Sequence, residues 1–166
     1  MVSAPENPIA AALRGANPKV MARMRTGFAV IGDTQHLPGY SLLLIDDLEV
    51  DHPTELPWSR RRDFFFDLSL LAEAVFAVTR EHGAHRINYE VLGNSWPHLH
   101  GHVHPRYEWE PSDKIGGPVW RYPKELRNAA EHAYDDARHG ELRAAITAEL
   151  KRVMSRAYVA LNASTP

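Results

Sequence analysis

The chain has 166 residues, of which 44% are hydrophobic and 24% charged, and its net charge is −2. This composition fits one globular domain with its own core, and the charge excludes a broad basic surface for nucleic acid or an anionic membrane. The absence of cysteine excludes disulfides, thiolate zinc sites and cysteine nucleophiles. Residues 1–6 have no basic segment leading into an apolar one, and no stretch approaches about 18 apolar residues. We therefore expect no signal peptide, no membrane span and a cytoplasmic location.

Two short helices are predicted within residues 7–25. Each begins with an Asn-Pro pair, at Asn7 and at Asn17, in which the asparagine caps the helix and the proline takes the first helical position. Gly27 closes the second helix.

A first β-hairpin is predicted over residues 27–45. Residues 27–32 form its first strand, and residues 33–39 form a turn that ends in Pro-Gly. The second strand, residues 40–45, is almost entirely apolar, which is typical of a strand buried on both faces.

A long helix follows the hairpin. Ser59 is its predicted N-cap and Gly83 its predicted stop. Apolar residues at spacings of four and three predict its buried face: Phe64, Leu68, Leu71, Val75 and Val78.

A second hairpin is predicted from a strand over Arg86–Leu92, a turn and a strand from about His98 to His104. Residues 107–123, rich in Trp, Pro and Gly, have room for a short edge strand. A C-terminal helical extension, residues 123–161, is predicted as two helices separated at Gly140. Helices that flank two hairpins predict an α+β fold with an antiparallel sheet, of which four strands are evident.

Four histidines alternate along the last predicted strand: His98, His100, His102 and His104. Alternation at period two places all four imidazoles on one face, about 6.5–7 Å apart, and leaves Gly101 on the other face, where a helix can approach closely. A neutral imidazole has a free nitrogen lone pair that can attack phosphorus, while its neighbours hold phosphate oxygens and protonate the leaving group. The same side chains could instead bind a transition metal. No nearby His-x-x-Glu or carboxylate pair completes such a site, so we predict no metal and no other cofactor.

The run from His98 to Arg106, His-Leu-His-Gly-His-Val-His-Pro-Arg, resembles the signature of the histidine triad superfamily. That signature is His-x-His-x-His, then two mostly apolar residues and often Pro-Arg. Aligning the Pro-Arg pair makes His98, His100 and His102 the triad. In the family the central histidine, here His100, attacks the α-phosphate of a nucleotide. Because His104 stands where an apolar residue is usual, a second register remains open, in which His102 is the central residue.

The resemblance also extends to the first hairpin, which in the family forms the nucleoside pocket. The ribose-binding acid or amide of the family aligns with Gly32, and Asp33 adjoins it. The segment Gly93-Asn94-Ser95 aligns with a stretch that holds phosphate, and Asn88 lies on the strand paired with the histidines. The resemblance thus implies these nucleotide contacts: Phe28, Ile31, Asp33, Asn88, Asn94, Ser95 and His104.

The resemblance implies one domain over residues 1–166, with its core at about residues 27–106, a five-stranded antiparallel sheet and a long central helix. It also implies a homodimer. The expected activity is hydrolysis or nucleotidyl transfer at the α-phosphate of a nucleotide substrate, through a nucleotidyl-histidine. A dinucleoside polyphosphate is the first expectation for that substrate, as for the bacterial members that this chain resembles, and a nucleoside phosphoramidate is the second. Two alternatives are a non-catalytic AMP-binding module and a metal-dependent hydrolase that uses the histidines.

Overall fold

The computed structural model describes residues 6–163. Residues 1–5, on which part of the signal-peptide expectation rests, lie outside this range. The fold is α+β, built on a five-stranded antiparallel sheet in the order β1-β2-β3-β5-β4. The strands are β1 Val20–Arg23, β2 Gly27–Ile31, β3 Ser41–Ile45, β4 Ala84–Val91 and β5 His100–Tyr107. The predicted α+β class and the five strands implied by the resemblance are confirmed.

The helices are α1 Pro8–Leu13, α2 Trp58–Thr79, α3 Ser112–Ile115, α4 Lys124–Arg127 and α5 Asp136–Ala163. Short 3₁₀ turns lie at Pro53–Glu55, Arg80–His82, Val119–Arg121 and Ala130–His132. Among the helices that the structure describes, none combines the length and the apolar content needed to cross a bilayer.

One face of the sheet packs against α2. Leu43 of β3 lies opposite Gly101 of β5, and both are buried on this face. A Cβ atom at Gly101 would lie 2.6 Å from Cδ1 of Leu68 on α2, so the helix can lie this close only because the residue is glycine. α5 packs beside α2 and contributes Ile146 and Leu150 to the core. The opposite face of the sheet is left for the histidines.

The prediction of a second N-terminal helix is wrong, because residues 20–23 form β1. The Asn17 side chain accepts a hydrogen bond from the backbone amide of Lys19 at 2.9 Å, so the Asn-Pro pair forms a turn and does not start a helix. Met21 and Ala22 are then buried beside β2. The fifth strand therefore comes from this segment and not from residues 107–123, which hold α3 and a 3₁₀ turn.

The C-terminal extension also differs from its prediction. α4 ends at Arg127, and residues 128–134 leave the helix because their backbone pairs with the loop after β2: the Gln35 amide donates to the His132 carbonyl at 2.6 Å. α5 begins at Asp136, after Asp135 caps it, and runs through Gly140 without a break. One glycine costs a helix only about 1 kcal/mol, which the packing of α5 on α2 outweighs.

Smaller differences concern the ends of elements. α2 begins at Trp58, directly after Pro57, so Ser59 lies inside the helix and is not its N-cap. Gly83, with φ of 89°, ends the helical segment as predicted. The histidine strand begins at His100 rather than His98.

Candidate functional site

Strand β5 brings three histidines to the face of the sheet that α2 does not cover. It lies between β3 and β4, and His100 and His102 stand opposite Leu44 and Leu42 of β3. His100, His102 and His104 are all buried. His98 lies before the strand with φ of 77°, a left-handed conformation that is uncommon for a residue with a side chain. The prediction that all four histidines share one strand is therefore wrong for His98.

The ring of His100 is held by the backbone of His98. Its Nδ1 lies 2.8 Å from the His98 carbonyl oxygen. A carbonyl can only accept, so Nδ1 carries the proton and Nε2 keeps its lone pair. Burial lowers the pKa of His100, so the ring is neutral at neutral pH. The left-handed turn at His98 thus presents a carbonyl that fixes the tautomer a nucleophile needs.

Two distant residues hold His98 in this conformation. The Asn7 side-chain amide lies 3.0 Å from His98 Nε2 and donates to it, while the Asn7 Oδ1 accepts the amide of Ile9 at the start of α1. The backbone amide of His98 donates to Asp51 Oδ1 at 3.0 Å. α1 is therefore fastened to the loop that orients His100.

His102 is oriented by Tyr40, a residue the sequence did not single out. The Tyr40 hydroxyl lies 2.7 Å from His102 Nδ1. The phenol is the stronger hydrogen-bond donor of the two groups, so it donates, and Nε2 of the neutral His102 carries the proton. Burial, with a smaller contribution from His100, lowers the pKa of His102 to about 4. His100 and His102 therefore offer opposite functions at Nε2, a lone pair and an N–H.

His104 is enclosed by aromatic rings. The Tyr40 ring stacks on it with centroids 4.2 Å apart, and Trp120 meets it edge-on at 5.7 Å. Its Nε2 is buried and has no hydrogen-bond partner among the described residues. Burial lowers the pKa of His104 well below its ordinary value. This imidazole is a neutral packing element in the wall of the site.

The loop after β2 is shaped to place Tyr40. A Cβ atom at Gly32 would lie 2.3 Å from Cδ1 of the Tyr40 ring, so the ring can lie there only over a glycine. The Gln35 side chain spans the loop, donating to the Gly32 and Tyr40 carbonyls at 3.0 Å each. The position at which the resemblance expects a ribose-binding acid or amide thus serves the tyrosine instead.

Two adjoining cavities open over this face of the sheet. The larger, about 920 Å³, has an apolar floor at Val30, Leu42 and Leu44 and is bordered by α1. The smaller, about 300 Å³, lies over the histidines and is bordered by Ser95 and Trp120. They are called the apolar chamber and the histidine chamber below. Their shared wall includes Tyr40, Leu42 and Trp96, and Trp96 lies 5.0 Å from the His100 ring.

The other predicted contacts fall in three places. Ile31 and Asp33 line the apolar chamber, where Asp33 is exposed and paired with Lys19. Ser95 lines the histidine chamber. The remaining three line neither chamber: Phe28 lies under the Arg23 guanidinium, Asn88 accepts from Arg106 at 3.1 Å, and Asn94 is exposed.

The far end of β5 is closed by a buried ion pair. Arg106 donates to both oxygens of Glu110, at 2.9 and 2.8 Å, and both side chains are almost fully buried. The Tyr122 hydroxyl donates to Glu110 at 2.8 Å. Desolvation by itself would raise the pKa of Glu110. The hydrogen bonds outweigh this effect and hold the pKa below its ordinary value. Within residues 6–163, no group of three or more His, Asp or Glu side chains is placed to hold a metal ion.

No protein-family model matches this chain, and no curated protein does. Solved structures do match. A histidine triad protein from Sinorhizobium meliloti 1021 superposes with a TM-score of 0.65 over 78% of this chain and 87% of its own, at 22% identity. A hypothetical histidine triad nucleotide-binding protein from Sulfolobus tokodaii strain7 superposes with a TM-score of 0.65 over 88% of this chain and 92% of its own, at 12% identity. A zinc-bound histidine triad family protein from Mycobacterium smegmatis superposes with a TM-score of 0.57 over 86% of this chain and 93% of its own, at 19% identity. This chain therefore has the fold of the histidine triad proteins.

Proposed function

We propose that this chain is a nucleotide hydrolase or nucleotidyl transferase of the histidine triad superfamily, acting at the α-phosphate of its substrate. The observation that carries the proposal is the hydrogen bond from His100 Nδ1 to the His98 carbonyl, which leaves a lone pair at Nε2 of a neutral ring. The same observation favours the register with His100 at the centre of the triad. His102, the central residue of the other register, accepts from the Tyr40 hydroxyl at Nδ1, so its Nε2 carries the proton and offers no lone pair for attack.

The reaction proceeds in two displacements. His100 Nε2 attacks the α-phosphorus, the nitrogen–phosphorus bond forms, and the bond from phosphorus to the leaving group breaks with its electron pair on the leaving group. The ring becomes cationic. Its Nδ1–H still donates to the His98 carbonyl oxygen, and this hydrogen bond stabilises the positive charge. Water then attacks phosphorus, releases the nucleoside monophosphate and a proton, and restores neutral His100. With another acceptor in place of water, the outcome is nucleotidyl transfer.

His102 holds the phosphoryl group during both steps. Its Nε2–H donates to a phosphate oxygen, and Tyr40 fixes the tautomer that makes this possible. Ser95 lines the same chamber and supplies a hydroxyl for the phosphate or the leaving group. His98 acts through its carbonyl, which orients His100, and is a positioning residue.

The nucleoside binds in the apolar chamber. Its floor of Val30, Leu42 and Leu44 provides an apolar surface for a base, and Ile31 lines it as well. Asp33, exposed beside Lys19, can accept from the ribose hydroxyls. We propose no direct nucleotide contact for Phe28, Asn88 or Asn94, because they line neither chamber.

We also propose that the protein is cytoplasmic and forms a homodimer through β4 and α2. β4 is an edge strand with exposed Tyr89, and α2 exposes Trp58 and Phe65. Sedimentation equilibrium should give a mass near twice 18.7 kDa. A monomer throughout the micromolar range would contradict this part of the proposal.

The activity is tested with the purified protein, a dinucleoside polyphosphate and a nucleoside phosphoramidate. The wild type should release nucleoside monophosphate, and His100→Ala should abolish turnover while it still binds AMP. His139→Ala, on α5 and outside both chambers, is the matched control and should turn over normally. AMP binding by a wild type that turns over neither substrate would favour the binding module. Turnover lost to a chelator and restored by metal would favour the metal enzyme, for which the described residues form no ligand set.

A further inference from the structure

One wall of the histidine chamber is supplied by the chain after β5. Residues 119–128 cross over the strand and place Trp120 and Arg127 beside the histidines. Trp120 meets His102 edge-on at 5.4 Å, and its indole N–H donates to Glu90 on β4, which fixes the ring. The segment is therefore part of the site.

Arg127 is held in place from several directions. Its backbone amide donates to the Pro123 carbonyl at 3.0 Å, and its own carbonyl accepts from the Thr34 hydroxyl. Its Nε donates to the Tyr122 carbonyl at 3.2 Å, and its guanidinium lies 4.7 Å above the Trp120 ring. Among the described residues, no hydrogen bond engages either terminal Nη atom. These donors are therefore oriented by the fold and open to a ligand.

The charge of the histidine chamber rests on this side chain. Arg127 is the one Lys or Arg, among the described residues, that lines the chamber, and no Asp or Glu lines it. The three strand histidines are neutral because burial lowers the pKa of each. An arginine without a partner carboxylate in a partly enclosed chamber favours an anion, and its planar fork matches two phosphate oxygens.

We propose that Arg127 binds the leaving group and that this group is a phosphate, so the substrate is a nucleoside polyphosphate rather than a phosphoramidate. This inference rests on the proposed function. When His100 attacks, the leaving phosphate departs with the electron pair of the broken bond and gains negative charge, which the guanidinium offsets. An amine leaving group instead needs a proton, which arginine does not release.

Binding isolates the effect of Arg127 in the His100→Ala background, where turnover is absent. The probes are AMP and ADP, which differ by the one phosphate in question. ADP should bind about 10-fold more tightly than AMP, equivalent to about 1.4 kcal/mol. Adding Arg127→Gln should reduce that ratio to below about 3-fold, and Arg127→Lys should keep part of it. Arg121→Gln removes an exposed charge from the same segment and should leave the ratio unchanged.

Three outcomes would overturn the inference. They are an ADP-to-AMP ratio near one in the His100→Ala parent, a ratio that persists in Arg127→Gln, and an equal loss for both ligands, which would place Arg127 at the nucleoside or α-phosphate. Failure of the wild type and the parent to bind AMP at all would contradict the proposed function itself. With His100 intact, Arg127→Gln should lower kcat/KM for a polyphosphate at least 10-fold more than for a phosphoramidate, and equal losses would again overturn the inference.

Discussion

Strand β5 carries the same kind of side chain, a histidine, in two different surroundings. At the start of the strand His100 faces the histidine chamber, with Nδ1 bonded to a carbonyl and, among the described residues, no hydrogen bond at Nε2. In the middle of the strand His104 is stacked against Tyr40, with a buried Nε2 that makes no hydrogen bond within residues 6–163. Two residues further, Arg106 is closed off by Glu110. The alternating histidines supply candidates for chemistry, and what covers each one decides which of them can react.

The largest expected effect separates His100 from His104. His100→Ala removes the proposed nucleophile and should lower kcat about 10⁴-fold or more. His104→Ala removes a packing ring and should lower kcat by less than about 30-fold. Single-turnover kinetics on one substrate measure both. A kcat for His100→Ala within about 30-fold of the wild type would contradict His100 as the nucleophile and favour the register with His102 at its centre.

The closed end predicts a large effect on stability. Glu110→Ala leaves the Arg106 guanidinium buried without its partner and should lower the free energy of unfolding by about 3–5 kcal/mol. Glu149→Ala breaks the surface pair with Arg152 on α5 and should cost less than about 1 kcal/mol. Urea denaturation measures both variants. A Glu110→Ala protein as stable as Glu149→Ala would show that the ion pair does not hold this end of the strand.

A smaller effect is expected from Tyr40, which contacts both His102 and His104. Tyr40→Phe keeps the ring over His104 and removes the donor to His102 Nδ1. Losing one such hydrogen bond costs about 1–3 kcal/mol, which is about 5- to 150-fold in rate. Because the bond is present in the free protein, thermal stability should fall as well, so kcat is compared at a temperature where both proteins are folded. Tyr134→Phe, which removes a hydroxyl that donates to Asp136 outside both chambers, is the control. A Tyr40→Phe enzyme as fast as this control would refute the role of the hydroxyl.

A dependence of stability on pH is expected without any substitution. Burial lowers the pKa of His102 to about 4, while in the unfolded chain it stays near its ordinary 6.5. Between these values the unfolded chain binds the additional proton, so the free energy of unfolding falls as the pH falls from about 6.5. The slope is about 1.4 kcal/mol per pH unit for each such histidine. His100 and His104 act in the same direction.

Urea denaturation between pH 7 and pH 5.5 measures this slope, above the range where most carboxylates titrate. His102→Gln should reduce the slope by the contribution of one histidine, because His100 and His104 still contribute. A wild-type profile that is flat over this range would show that the chamber does not hold its histidines neutral.

Local patterns predicted much of the scaffold. Alternation identified the histidine strand, spacing identified α2, and the glycine at position 101 correctly marked the close approach of that helix. Local signals failed where a distant partner decides the conformation. The Asn-Pro pair at Asn17 suggested the start of a helix. Residues 20–23 instead form strand β1, because they pair with β2.

The contacts that tune the site were beyond sequence reasoning for the same reason. Asn7 reaches His98 across 91 positions, and Tyr40 reaches His102 across 62. Nothing in the local sequence distinguishes Arg127 from its neighbours on a polar segment. Tyr40 is the one of these residues that the sequence could have indicated. The predicted antiparallel hairpin places a tyrosine hydroxyl just before β3, near the histidine strand.

The most direct test of the central claim is to find the modified residue. The protein is mixed with a nucleoside polyphosphate and quenched during turnover, and its peptides are mapped by mass spectrometry under conditions that preserve phosphoramidates. The structure predicts a nucleotidyl group on His100. A nucleotidyl group on His102, or steady turnover without any protein-bound nucleotide, would contradict it.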